Sequence, residues 1–200
     1  GGNFTVQNSD LLIILGSRLN IRQVSYNWDS FAREAYKIWV DIDSLEMSKP
    51  TVKPDMPILA DLAEFLPVLE NEVYEENLEH VSWLKWCKER NAKYPVVLPE
   101  YWENEKINPY CFVESLFEEL EEGQNIITGN GSACVVGFQA ANLKPEQRLW
   151  TNSGCATMGY DIPASIGACI ASGKKSTICL AGDGSIMMNL QELQTIIGNN

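Results

Sequence analysis

The chain has 200 residues, 45% of them hydrophobic, which is enough to bury the core of one or two domains. Its formal net charge of −12 argues against nucleic acid and against an anionic membrane surface as partners. The six cysteines form no C-x-x-C pair, which argues against a zinc site and favours reduced thiols. No apolar run approaches the length of a membrane span, and we expect a cytoplasmic protein.

Residues 1–72 predict part of a Rossmann-like domain with a parallel sheet. Continuous apolar runs at Leu11–Leu15 and Lys37–Ile42 are typical of strands that are covered on both faces. Helices are predicted at Phe31–Tyr36 and Asp61–Leu69. No G-x-G-x-x-G follows either strand, so the fingerprint of dinucleotide binding is missing.

Residues 73–108 predict a connector with a helix at Val81–Arg90, and residues 109–200 predict a second α/β domain. Strands are predicted at Asn125–Thr128 and Lys175–Ala181. The predicted helices of this domain are Tyr110–Glu122, Ala156–Ala171 and Ile186–Ile197. Alternating strands and helices indicate a parallel sheet.

The most specific chemical signal is the turn Gly182-Asp183-Gly184-Ser185 between a predicted strand and a predicted helix. Ligands of parallel α/β sheets bind at the carboxyl ends of the strands. The two glycines let the backbone approach a phosphate-sized group, and Mg²⁺ is typically bound by one or two carboxylates together with substrate phosphates. The turn therefore predicts a metal-diphosphate site, although the tetrapeptide alone also fits Asp183 as a helix cap.

A longer pattern surrounds this turn. The sequence GCATMGYDIPASIGA spans Gly154–Ala168, and NLQEL spans Asn189–Leu193. With the turn, these motifs resemble the pyrophosphate-binding domain of thiamine diphosphate enzymes, and they are most similar to the acetolactate synthase branch. Residues 9–19 and 40–43 also resemble the middle domain of that family. The resemblance implies a Rossmann-like middle domain followed by a truncated thiamine diphosphate-binding domain with a parallel sheet.

The resemblance also implies where the diphosphate end of the cofactor binds. The residue that matches the metal ligand of the family is Asp183, and Gly182, Gly184 and Ser185 belong to the same turn. Gly131 and Ser132 match a loop that contacts the diphosphate in the family. That loop often has a Gln-His pair after the glycine, whereas Ser132 and Ala133 stand here, so we expect weaker phosphate binding by this loop.

Two further residues match the part of the family that holds the rings of the cofactor. Met158 matches an apolar wedge that forces the two rings into a bent shape, although a methionine that only fills a core gap is the alternative. Main-chain groups near Ala156 and Met158 hold the pyrimidine ring in the family. The acetolactate branch usually has glycine at the position of Ala156, and a backbone contact survives that change if the local φ is negative.

Other parts of the family site are expected outside these 200 residues. The second metal ligand of the family is an asparagine roughly 25 to 28 residues after the aspartate, so Asn199 and Asn200 are not assigned to the site. The glutamate that activates the cofactor lies in a separate domain of the partner subunit. We therefore assign no catalytic residue here and expect the segment alone to be inactive.

In some relatives the middle domain binds FAD or another adenine nucleotide. Because the glycine fingerprint is missing, we do not expect that binding here.

The function implied by the resemblance is that of a Mg²⁺- and thiamine diphosphate-dependent transferase or lyase. It would decarboxylate a 2-keto acid and transfer the acyl carbanion equivalent to a carbonyl acceptor, as a homodimer or homotetramer. The alternatives are a 2-keto acid decarboxylase or C–C hydrolase with the same cofactor, and a non-catalytic or regulatory homologue, which the altered loop at Ser132 and Ala133 favours. The sequence does not identify the keto acid or the acceptor.

Overall fold

A computed structural model describes residues 1–72 and 78–199, which form two compact units, Gly1–Pro95 and Val96–Asn200. Each unit contains a parallel sheet with helices, which confirms the predicted α/β class. The stretch predicted as a connector, 73–108, is divided between the two units. In the described residues, no helix combines the length and the apolar character needed to cross a membrane.

The first unit contains a three-stranded parallel sheet in the order β1-β2-β3. In chain order, its elements are α1 (Gly2–Asn8), β1 (Leu11–Leu15), α2 (Ile21–Val24), β2 (Tyr36–Asp41), α3 (Ser44–Met47), β3 (Met56–Leu59), α4 (Leu62–Glu72) and α5 (Leu78–Lys93). The central strand carries Trp39 and Val40, which are fully buried. Trp39 packs in a core with Ile14 and Met47, so the strands and helices share one apolar centre.

The helix predicted at Phe31–Tyr36 is wrong. A short 3-10 helix at Trp28–Ser30 is followed by Ala32 with a φ of +44°, and this left-handed conformation interrupts any right-handed helix. Tyr36 is already the first residue of β2, where it pairs with Leu11. Pairing with the neighbouring strand has thus overridden the local helical pattern.

The second unit contains a three-stranded parallel sheet in the order β5-β4-β6. Its elements are α6 (Pro109–Glu119), β4 (Asn125–Thr128), α7 (Gly131–Ala140), β5 (Arg148–Thr151), α8 (Asp161–Ala171), β6 (Thr177–Leu180), α9 (Asp183–Met188) and α10 (Glu192–Asn199), and a 3-10 helix spans Pro99–Glu103. All four residues of β4 are buried, as expected for a central strand covered on both faces. Its Ile126 packs against Phe117 of α6 and Val136 of α7 in the core of this unit.

The helix predicted to start at Ala156 starts at Asp161 instead. Ala156 has a φ of +54° and Gly159 a φ of +81°, so the backbone between them leaves the helical region. Pro163 becomes the third residue of α8, within the first turn, where proline is tolerated. The proline is a sequence signal for this later start.

The helix predicted from Ile186 to Ile197 is two helices, α9 and α10. The break begins at Asn189, directly after α9, where a φ of −134° and a ψ of 38° are not helical. The Asn189 side chain donates a hydrogen bond to the carbonyl of Gly159, a tertiary contact that accompanies the break. Asn199 is the last residue of α10, and Asn200 lies outside the described residues.

Candidate functional site

The carboxyl ends of the three strands of the second unit lie side by side. Thr128 of β4 pairs with Thr151 of β5 on one side and with Leu180 of β6 on the other. The ladder continues for one more residue, because the Gly129 N–H donates to the carbonyl of Leu180 at 3.1 Å. Neighbouring strands are only about 4.8 Å apart, so the loops that follow them start from one edge of the sheet.

The turn with Asp183 stands at this edge, directly after β6. Gly182 is the N-cap of α9 and Asp183 is its first residue, so the capping position belongs to the glycine. The Asp183 carboxylate is exposed, and its Oδ1 accepts a hydrogen bond from the Gly184 N–H at 2.8 Å. Apart from its two chain neighbours, no heavy atom of the described residues lies within 4 Å of the position that a Cβ on Gly182 would occupy. An exposed carboxylate therefore lies next to open backbone.

The loop after β4 provides a second open backbone segment. Gly131 begins α7 with a φ of +60°, and nothing lies within 4 Å of the position of a Cβ. Ser132 follows in the first turn of α7 and is exposed. The loop is tied to the site by Asn130, whose side-chain amide donates to the carbonyl of Ala156 at 3.3 Å. The predicted residues of this loop are therefore accessible to a ligand.

Gly129, the residue before this loop, lies against a buried carboxylate that the sequence did not single out. Asp161 is fully buried, and a Cβ on Gly129 would collide with its Oδ2. The other oxygen, Oδ1, accepts from the N–H of Ile162 at 3.1 Å, whereas Oδ2 has no hydrogen-bond partner among the described residues. Asp161 is the first residue of α8, where the helix dipole favours a negative charge.

Ala156 and Met158 occupy the segment between β5 and α8. The φ of Ala156 is +54°, so the negative φ that would make alanine equivalent to glycine at this position is not found. Met158 is 44% exposed, and its Cε lies 3.0 Å from the position that a Cβ on Gly184 would occupy. The predicted wedge residue therefore lies beside the Asp183 turn and is accessible.

Ser185 differs from the other residues of the turn, because its side chain is 2% exposed. Its hydroxyl accepts a hydrogen bond from the Gly159 N–H at 2.8 Å. Asn189, which the sequence did not assign to the site, donates from its amide to the carbonyl of the same glycine at 2.5 Å. The structure thus brings the turn and the Met158 segment together through Gly159.

The first unit has a cleft of about 540 Å³ at the carboxyl ends of its strands. Its polar lining residues are Arg18, Asp41, Asp43, Glu46 and Asp61. The Arg18 guanidinium lies 2.8 Å from Glu46, and hydrogen bonds from Lys49 and Arg18 lower the pKa of that carboxyl. Acidic side chains therefore outnumber basic ones in the lining of this cleft.

Within the described ranges, no three His, Cys, Asp or Glu side chains are grouped so that they could hold a metal ion. The turn itself contains one carboxylate, that of Asp183, and one carboxylate suits a hard cation that is shared with phosphate oxygens.

Comparison with known proteins matches both units to the same group of enzymes. Residues 1–69 match the model described as the central domain of thiamine pyrophosphate enzymes, and residues 129–200 match their C-terminal, thiamine pyrophosphate-binding domain. The chain belongs to the thiamine pyrophosphate enzyme family. This confirms the resemblance that the motifs around Asp183 predicted.

Among the members of this family, several acetolactate synthases are similar over nearly the whole chain. The isozyme 1 large subunit of Escherichia coli (strain K12) is 30% identical over 98% of this chain and 34% of its own length. The large subunit of Cyanidium caldarium is 36% identical over 97% and 33%, and the chloroplastic enzyme of Arabidopsis thaliana is 33% identical over 97% and 29%. The chain spans about a third of the length of these relatives. Their names do not favour the alternative decarboxylase, hydrolase or regulatory functions.

The contact between Gly129 and Asp161 predicts that a side chain at position 129 destabilises the protein. Gly129→Ala is expected to reduce the free energy of unfolding by about 1–3 kcal/mol, because the added methyl overlaps a buried carboxylate oxygen. Denaturant unfolding measures the change. Gly154→Ala, where nothing lies within 4 Å of the new methyl, is the control. Equal effects of both variants would contradict the prediction.

The left-handed backbone at Ala156 predicts that glycine is favourable there. Ala156→Gly is expected to raise the free energy of unfolding by up to about 1 kcal/mol, because an alanine side chain at a φ of +54° is strained. The same change at Ala141, which has a φ of −63°, relieves no such strain and should not be stabilising. Thermal or denaturant unfolding compares the two variants, and a destabilised Ala156→Gly protein would refute this explanation.

Proposed function

We propose that the protein containing this chain is a Mg²⁺- and thiamine diphosphate-dependent enzyme of the acetolactate synthase type. It would decarboxylate a 2-keto acid and transfer the acyl group to a carbonyl acceptor. The main support is the exposed Asp183 carboxylate between two glycines at the carboxyl edge of the second sheet. The family match of residues 129–200 and the similarity to acetolactate synthase large subunits support the same proposal.

At the diphosphate end, Asp183 would hold Mg²⁺, which shares its coordination with phosphate oxygens. Gly182 and Gly131 would let phosphate groups approach the backbone, because no heavy atom lies near the position of a Cβ at either residue. Gly184 belongs to the same turn, and Ser132 offers an exposed hydroxyl in the first turn of α7. The metal would serve to orient the diphosphate rather than to activate the substrate.

At the other end, Met158 would support the rings of the cofactor, and main-chain groups near Ala156 would hold the pyrimidine. The Ala156 carbonyl already accepts a hydrogen bond from the Asn130 side chain, so the loop after β4 is bound to the backbone of this segment. When bound, the cofactor supplies the electron sink for decarboxylation, while the protein supplies anchoring and geometry.

The metal role predicts a specific loss of cofactor binding in Asp183→Asn. We expect the affinity for thiamine diphosphate in the presence of Mg²⁺ to fall at least about tenfold, because the amide removes the charged ligand at nearly constant shape. Calorimetric titration of the intact protein that contains this chain, with and without Mg²⁺, measures it.

The matched control for this titration is Glu119→Gln, which removes one exposed carboxylate at the end of α6. It should leave the affinity unchanged. If Asp183→Asn bound the cofactor as tightly as the unmodified protein, Asp183 would not be the metal ligand. If the unmodified protein bound none at millimolar concentration, the proposed function itself would fail.

We further propose that residues 1–200 alone have no activity, since the activating glutamate of the family is expected in a separate domain of a partner subunit. An assay of the purified 200-residue chain with pyruvate, Mg²⁺ and thiamine diphosphate should show neither carbon dioxide release nor carboligation. Turnover at a rate comparable to that of the intact protein would contradict this. The intact protein is then expected to be a homodimer or homotetramer.

A further inference from the structure

Gly159 is a buried residue immediately before α8, and both of its backbone polar groups need partners. In an α-helix, the carbonyl of residue 159 would accept from the N–H of residue 163. Residue 163 is a proline and has no N–H, so α8 cannot satisfy this carbonyl. A partner for it has to come from another part of the chain.

Both partners of Gly159 come from the segment that follows Asp183. The Ser185 hydroxyl accepts from its N–H at 2.8 Å, and the Asn189 amide donates to its carbonyl at 2.5 Å. These side chains are 26 and 30 residues away in sequence. Together they form what we call the Gly159 clamp, which consists of Gly159, Ser185 and Asn189.

The clamp leaves no room for a side chain on its central residue. Gly159 has a φ of +81°, and an added Cβ would lie 2.7 Å from the Asn189 amide nitrogen and 3.1 Å from Cβ of Met188. The Ser185 side chain is 2% exposed, so its hydroxyl is committed to this contact and away from solvent. Gly159, Ser185 and Asn189 are therefore closely packed, unlike residues that meet in an incidental surface contact.

The clamp joins two segments with different tasks in the proposed site. Met158 precedes Gly159, so fixing the peptide groups of the glycine fixes the backbone of the methionine. The Met158 methyl group also packs beside Gly184, the neighbour of Asp183. Three contacts thus hold the segment that would support the cofactor rings against the turn that would hold the metal.

We propose that Ser185 and Asn189 are positioning residues that fix the position of Met158 relative to the Asp183 turn. Met158 and the turn would then bind the rings and the diphosphate of the same cofactor molecule at a fixed separation. This inference rests on the proposed function for the roles of Met158 and Asp183. It differs from a direct phosphate contact by the Ser185 side chain, because the hydroxyl faces Gly159.

Two ligands separate these roles, thiamine diphosphate and inorganic pyrophosphate, each titrated calorimetrically with Mg²⁺ into the intact protein. Pyrophosphate requires only the Asp183 turn and the loop with Gly131, whereas thiamine diphosphate also requires a correctly placed Met158. Ser185→Ala is expected to weaken thiamine diphosphate about fivefold, the typical effect of one lost hydrogen bond, and pyrophosphate less than twofold. Asn189→Ala, at a half-buried position, should show the same selectivity and serves if Ser185→Ala does not fold.

Ser165→Ala is the control, since the Ser165 hydroxyl likewise makes one 2.8 Å hydrogen bond to the backbone, here as the donor to the carbonyl of Asp161. It should change neither affinity. A double-mutant cycle with Met158→Ala tests the connection itself. In the Met158→Ala background, adding Ser185→Ala should change the thiamine diphosphate affinity less than twofold, because the Met158 side chain that the clamp positions is already gone.

Each outcome has a distinct meaning. Selective loss of thiamine diphosphate affinity, reduced in the Met158→Ala background, would support the positioning role. An equal loss for both ligands would show that Ser185 contacts phosphate, and no loss for either would show that the clamp is dispensable, so both results would overturn the inference. If the unmodified protein bound neither ligand, the proposed function would fail and the inference with it.

Discussion

The parallel pairing of β4 with both of its neighbours is the constraint on which the candidate site depends. Four buried residues form the central strand, and its register with β5 and β6 brings three carboxyl ends to one edge. The loop with Gly131, the segment with Met158 and the turn with Asp183 each follow one of these strands. A shift in either pairing would displace one of the three segments from the other two.

Several glycines at this edge make room for protein side chains rather than for a ligand. Gly129 faces Asp161, Gly159 faces Asn189, and Gly184 faces Met158. Gly131, Gly154 and Gly182, in contrast, have open space at the position of a Cβ. The glycines therefore fall into two groups. Those of one group pack against protein side chains, and those of the other leave their backbone accessible to a ligand.

Four of the six strands in the described residues and the identity of the turn could be predicted from the sequence, because both depend on local features, whereas β3 and β5 were not predicted. The strand at Leu11–Leu15 and the strand at Asn125–Thr128 have the predicted bounds, and the glycines around Asp183 mark the turn. Helix ends that depend on tertiary contacts were missed. Ala156 at positive φ and the Asn189 contact with Gly159 involve partners far away in sequence, which no periodicity reveals.

The proline at position 163 carried part of this information, since it removes one donor from the first turn of α8. It indicates that the carbonyl of residue 159 cannot bond to the N–H of residue 163, but not which side chain bonds to it instead. Likewise, the burial of Asp161, whose Oδ2 has no partner in the part of the chain that the structure describes, could not be predicted, because aspartate at a helix start is ordinarily exposed.

The contact between Gly129 and Asp161 has a consequence for how the two positions can diverge in evolution. While position 161 carries an aspartate, a side chain at position 129 overlaps its carboxylate and lowers the stability of the fold. A lineage would acquire a side chain at 129 without this loss only after position 161 had become smaller. The order of substitutions is therefore restricted, and the two sites are expected to vary as a correlated pair among descendants of this chain.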